Sequence, residues 1–218
     1  MSENVESLPV TMARWAGEAH PLTRQLARPA DGVPGGDRGW VVPPAVRDLP
    51  TLRGFLAWYR TEVLAPTELP AIGQAFAHAG GYEVRELLAL DRTLADEARL
   101  RPFAEASQAV GRAQLWRLLP LRDQRLIRRY WRALEAGGAH GWHVLVYGVV
   151  LSVFSLPLRS GLMHYGQQTL AGFVDSAGRR LGLREDDCTQ LLVEEWATLP
   201  AVTDRALGPG KVLPRLCV

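Results

Sequence analysis

Two of the chain's five histidines stand three apart in the stretch GGAHGWHVLVYGVV, at His140 and His143. On a helix, i,i+3 spacing puts two side chains on one face. That is the start of a zinc or nickel site, which needs a third and usually a fourth ligand. His164, Cys188 and Cys217 are the candidates, and no spacing in the sequence brings them to the pair. The plainer reading is preferred: His140 lies in the GGAHG turn, His143 flanks the start of an apolar helix, and no metal site is assigned.

Other chemistry-bearing residues give similarly plain readings. Asp186-Asp187 and Glu194-Glu195 are paired carboxylates. The first pair falls at a predicted helix N-terminus, where negative charge complements the macrodipole, so no acid–base role is needed. Arg122, Arg125, Arg128, Arg129 and Arg132 interleave with Tyr130 and Trp131, a pattern that could stack on nucleic acid. Asp123 and Glu135 dilute the cluster, and the chain's net charge is only +2. A solvated face or a protein contact is therefore preferred. The chain has no G-x-x-x-x-G-K-[ST] loop; GPGK at 208–211 lacks the following Ser or Thr. It has no G-x-S-x-G, H-E-x-x-H or C-x-x-C. No catalytic residue and no cofactor site are assigned.

Small residues inside helices are the sharper feature. Ser107 and Gly111 lie i,i+4 in EASQAVGRAQL. A mid-helix glycine costs about 1 kcal/mol relative to alanine, so close packing must offset it. The packed backbone could belong to this chain's core or to a partner, and the core reading is preferred. Gly141, Gly148, Ser152 and Ser155 would similarly let neighbours approach the helix over 142–154.

The elements that position these residues are helical throughout. Asp48 caps a first helix with Pro50 in its first turn, and Leu52, Phe55, Leu56 and Tyr59 follow a 3.6-residue period. Pro66 and Thr67 restart the chain into a helix over 68–79. Further helices are expected over 83–98, 102–119, from the Asp123 cap to Gly137-Gly138, 142–154, 157–182 and 184–198, where Pro200 ends the last. HVLVYGVVLSVF is strand-like by propensity. It lacks period-2 alternation and a partner strand, however, so a buried central helix is expected. The sum is an all-α single-domain bundle of about seven to eight helices. Residues 1–47, rich in Pro and Gly, read as an irregular arm with one short helix near 10–17. Residues 48–200 form the helical domain, and 201–218 a flexible tail.

The totals fit one domain. At 218 residues, 47% hydrophobic and 22% charged, the chain can bury a substantial core. Two cysteines imply no disulfide framework and suit a reducing cytoplasm. MSENVESLPV shows no secretory h-region. The longest apolar run, 144–158, is interrupted by Gly148 and Pro157 and is too short to span a bilayer.

In order and spacing, EASQAVGRAQL, GGAHGWHVLVYGVVLSVFSLPL and YGQQTLAGFVDSAGRRLGL resemble the UreF-type urease accessory proteins. Ser107, Gly111 and Leu115 match that family's S-x-x-x-G-x-x-x-L helix. Gly138 or Gly141, His140 or His143, Val146 and Gly148 match its Gly-His segment and V-x-G helix. Leu156-Pro157-Leu158 matches its turn, and Tyr165, Gln168, Val174 and Arg180-Leu181 its long helix. The N-terminal signature, the segment at GLREDDCTQ and the C-terminal R-L-[FY]-R-S depart from the family pattern, as in a divergent member. The resemblance implies an all-α cytoplasmic homodimer that is not an enzyme and holds no cofactor. Its implied partners are the UreD/UreH-type scaffold, the GTPase UreG and apo-urease. Its implied role is nickel insertion during urease maturation, with no nucleic-acid or membrane partner. An interaction module on the same fold that does not serve urease is the alternative. The candidate packing or partner-contact residues are Ser107, Gly111, Arg112, His140, Gly141, His143, Gly148, Tyr165, Gln168 and Arg180.

Overall fold

The computed structural model describes residues 43–121 and 125–208. Within them every regular element is helical. Helix α1 (Leu49–Tyr59) passes through a π-helical stretch (Arg60–Glu68) directly into α2 (Leu69–Gly80). Then come α3 (Val84–Ala95), a 3-10 turn (Arg101–Phe103), α4 (Ala104–Leu118), α5 (Arg125–Glu135), α6 (His143–Val153), α7 (Leu158–Leu181) and α8 (Glu185–Leu207). The expected helix near 10–17, the Asp123 cap and residues 209–218 of the expected tail lie outside the described residues.

Helix α1 starts as its sequence dictates. Asp48 Oδ1 accepts from the Thr51 amide at 2.9 Å, and Thr51 Oγ1 accepts from the Asp48 amide at 3.0 Å. This is a reciprocal capping box. The predicted break at Pro66 does not occur. Proline in an α-helix lacks a donor and clashes with the carbonyl four residues back. Here the chain widens to i→i+5 bonding, with the Leu69 amide reaching Leu64 O, and residues 49–80 run as one rod.

The widening has a packing consequence. Nine residues make about two and a half α-helical turns and would put Tyr59 and Glu68 on opposite faces. With i→i+5 bonding, nine residues make about two turns. Both side chains therefore face the core, and the Tyr59 hydroxyl donates to Glu68 Oε2 at 2.5 Å.

Helix α6 is the axis of the fold. Every residue from His143 to Leu151 is buried, so its strand-like composition yields to its position: a helix satisfies its own backbone where no partner strand exists. It runs parallel to α2. Gly148 lies against Ile72 and Ala75, and Gly80 lies near Ser152. Helices α7 and α8 form an antiparallel pair, with Gly166 against Leu199 and Gly178 against Cys188. Helix α8 continues through Pro200 to Leu207 instead of ending there. Buried Leu199, Val202 and Thr203, and the Arg159–Asp204 ion pair at 2.8 Å, hold its last turns along α7. That packing offsets the one backbone bond proline removes. At the centre, Phe55, Tyr59, Phe103 and Phe173 interlock edge-on, with Phe173 4.9 Å from both Phe55 and Tyr59.

Candidate functional site

The histidine-bearing stretch is a loop clamped from three sides. Asp91, in the middle of α3 and fully buried, accepts from the Tyr130 hydroxyl (2.5 Å), the His140 amide (2.5 Å) and the Gly141 amide (2.9 Å). Its own carbonyl accepts the Trp142 indole N–H at 3.2 Å. Residue 91 therefore holds α5 and three consecutive loop residues at once. Such a buried carboxylate persists only because its oxygens are matched by donors.

Helix α4 forms the second side. Ser107 Oγ accepts the His143 amide at 3.2 Å. That satisfies one of the orphan donors at the start of α6, where Trp142 supplies no side-chain cap. One turn on, a Cβ on Gly111 would collide with Gly141 O and lie 2.7 Å from the His143 nitrogen. The backbone lying on Gly111 is thus the chain's own. Arg112 Nε donates to His140 O at 3.0 Å. Gly141 adopts φ +76, and a Cβ there would sit 2.5 Å from Leu134 Cδ1 of α5 and 3.1 Å from Arg112 Cγ. Only glycine fits that backbone and that space.

Beneath the loop runs a buried polar seam. His143 Nδ1 lies 2.8 Å from Gln114 Oε1, so the ring donates there. Its ring centroid is 6.0 Å from Tyr147 and 5.7 Å from Tyr165, which are themselves 5.2 Å apart. Tyr147 donates to Gly161 O at 3.2 Å. Tyr165 hydrogen-bonds Glu68 and Thr169, and Tyr59 bonds Glu68 from the other side. Burial pushes the Glu68 carboxyl up to about 7, against the hydrogen bonds from Tyr59 and Tyr165 that favour its charged form. Burial likewise pushes His143 down to about 4, keeping the imidazole neutral. The Tyr59 and Tyr165 hydroxyls are driven well above their ordinary values, first by burial and then by the neighbouring Glu68.

The sequence candidates divide by location. Ser107, Gly111, Arg112, His140, Gly141 and His143 come together at the clamped loop. Gly148 seats α6 on α2, where a Cβ would lie 2.8 Å from Ala75 Cβ. Tyr165 joins the seam. Gln168 Nε2 donates to His164 Nε2 on α7 at 2.6 Å. Arg180 is remote from the loop, and its Nη2 reaches back to Val46 O at 3.1 Å. Neither His164 nor Cys188 joins His140 and His143. Among the described residues, no group of three or more His, Cys, Asp or Glu side chains could hold a metal ion.

Asp91, Gln114 and Glu68 escaped the sequence reading. A signal existed for Asp91: it interrupts the apolar face of LLALDRTL one turn from Leu87 and Leu94. Glu68 had none, because its inward turn depends on the π-helical stretch.

The family model that matches the chain is UreF, over residues 46–194. The chain belongs to the UreF family. The match begins beside the α1 capping box, includes the whole clamped loop, and ends inside α8. UreF proteins are urease accessory proteins, a family of helpers and not of catalysts, which work with other accessory proteins. This UreF chain matches no curated protein. Among its described residues, no helix is long and apolar enough to cross a membrane.

Proposed function

We propose that this UreF protein is a binding subunit of the nickel-insertion machinery that matures urease in the cytoplasm. It acts as a homodimer. It binds the UreD/UreH-type scaffold and the UreG-type GTPase, and it helps couple GTP hydrolysis to nickel delivery into apo-urease. The observation that carries this reading is the UreF match over 46–194, which spans α1 to α7 and the fixed loop at 139–142. A coupling protein of this kind works by differential affinity: it binds one nucleotide state of the GTPase more tightly, and by linkage that state is favoured. The clamped loop and fully packed α6 support a rigid docking body, which lowers the ordering cost of association.

The direct test is association of purified full-length chain with the cognate UreG and UreD proteins, with and without GTP and nickel. Complex formation at micromolar concentration is expected. If neither protein associates under any of these conditions, the urease-maturation role fails. Sedimentation of the chain alone should give a dimer, and a strict monomer at high concentration would contradict that part.

A further inference from the structure

Helix α5 has two unlike faces. Leu126, Ile127 and Tyr130 are buried, and Trp131 and Leu134 pack at the margin. Arg125, Arg128, Arg129 and Arg132, spaced i, i+3, i+4 and i+7, form one exposed face.

That face is electrostatically unfavourable for the chain on its own. Arg125–Arg129 and Arg128–Arg132 are like-charge i,i+4 pairs, each destabilising by roughly 0.2–0.5 kcal/mol. Among the described residues the first turn of α5 holds no acidic residue, so Arg125 and Arg128 oppose the positive end of the helix dipole. No ion pair joins any of the four to another described residue, including Glu135 three positions after Arg132. Some exposed arginines elsewhere are paired, Arg53, Arg159, Arg179 and Arg184 with Glu194, Asp204, Asp175 and Asp186, but α5 is the helix on which four exposed arginines share one face with no such pair among the described residues.

The charge is local. Residues 106–138 carry seven arginines and two acids, a net of +5, while the whole chain is +2. The remainder is therefore 2 − 5 = −3. On the adjoining helix, Trp116 lies two residues from the end of α4 and is 62% exposed. In the chain, Trp116 stands nine positions before Arg125, on the helix that precedes the arginine face.

We infer that the outer face of the α4–α5 hairpin is a docking surface for an acidic segment of a partner protein, gripped by Arg125, Arg128, Arg129 and Arg132 and anchored on Trp116. Arginine forks pair bidentately with carboxylates. An exposed tryptophan on the preceding helix is the residue type that anchors protein interfaces. The net −3 of the rest of the chain disfavours a long polyphosphate backbone and leaves a compact carboxylate-rich surface as the complementary ligand. The inference stands independently of the urease-maturation reading.

The test is fluorescence anisotropy of a labelled glutamate-rich peptide with the full chain at low salt, beside a single-stranded DNA oligonucleotide of equal charge. The peptide should bind, and more weakly as salt rises. Arg128→Glu with Arg129→Glu should weaken it about tenfold or more. Trp116→Ala should weaken it about threefold, an effect that diffuse attraction would not give. Arg184→Glu on the other side of the sequence should change it less than about twofold. Circular dichroism checks that the double variant folds, and the peptide should also bind less to the milder Arg128→Gln, Arg129→Gln chain. The inference is overturned by absence of peptide binding, by tighter binding of the oligonucleotide, or by equal sensitivity to Arg184→Glu.

Discussion

The α4–α5 hairpin treats its two sides in opposite ways. On the inner side, polar groups find geometrically fixed partners: Tyr130 on Asp91, the His143 amide on Ser107, and the loop backbone on Gly111. On the outer side, four arginines face solvent with no ion-pair partner among the described residues. The inner side shows what this fold requires in order to exist. The outer side carries a cost the fold does not require, and that is where a partner's contribution is to be sought. Buried polar groups must be matched because desolvation penalises each unmet donor or acceptor; surface charges escape that rule because water screens them.

The largest losses are expected on the inner side. Gly111→Leu forces a side chain into the 141–143 backbone, and Gly148→Leu does the same between α6 and α2. Each should cost about 3 kcal/mol or more, and soluble yield with urea unfolding would read it. Asp91→Ala should follow closely, at about 3 kcal/mol, because Tyr130, His140 and Gly141 all lose their acceptor in a buried site. If Asp91→Ala unfolded at the wild-type urea concentration, the clamp would not be what holds the loop.

The buried seam makes stability depend on pH. Glu68 titrates near 7 when folded, against an ordinary 4.5. The folded state therefore holds the proton longer, and stability falls as pH rises from 4.5 through 7. His143 titrates near 4 when folded, against 6.5, so its contribution is present above 6.5 and is lost as pH falls towards 4. Between about 4.5 and 6.5 the two slopes have opposite sign and offset one another. Glu68→Gln should unmask a stability that rises with pH across that window, and His143→Gln one that falls, each by about 2–3 kcal/mol over its range. Urea midpoints at a series of pH values would show it. Parallel profiles for wild type and both variants would contradict these titrations.

The smallest effect belongs to the outer side. Arg128→Glu with Arg129→Glu should leave the free energy of urea unfolding within about 0.5 kcal/mol of wild type or raise it slightly, since it removes like-charge repulsion and suits the helix dipole. A large loss would mean that the arginines serve the fold.

Much of this was legible in the sequence because helical period and cap chemistry are local. Asp48 with Pro50, the Gly137-Gly138 end and the buried 142–154 helix follow from residues near in the chain. Ser107 and Gly111 were legible too, because a small residue that costs helix propensity must face something close. What it faces was not legible: the partner atoms at 141–143 lie some thirty residues away, and spacing says nothing about them. Pro66 and Pro200 misled for one physical reason. Proline's local penalty was weighed without the tertiary packing, or the i→i+5 widening, that accommodates it. The two histidines drew attention as ligands, yet the loop depends on His140 for its backbone and places His143 as a neutral ring beside Gln114.

The most direct test of the urease-maturation role is urease activity in the host cell, grown with nickel, after this chain is deleted and then restored. Deletion should leave urease inactive and nickel-poor, and activity should recover when the full chain returns. Fully active urease in the absence of the chain would contradict that role.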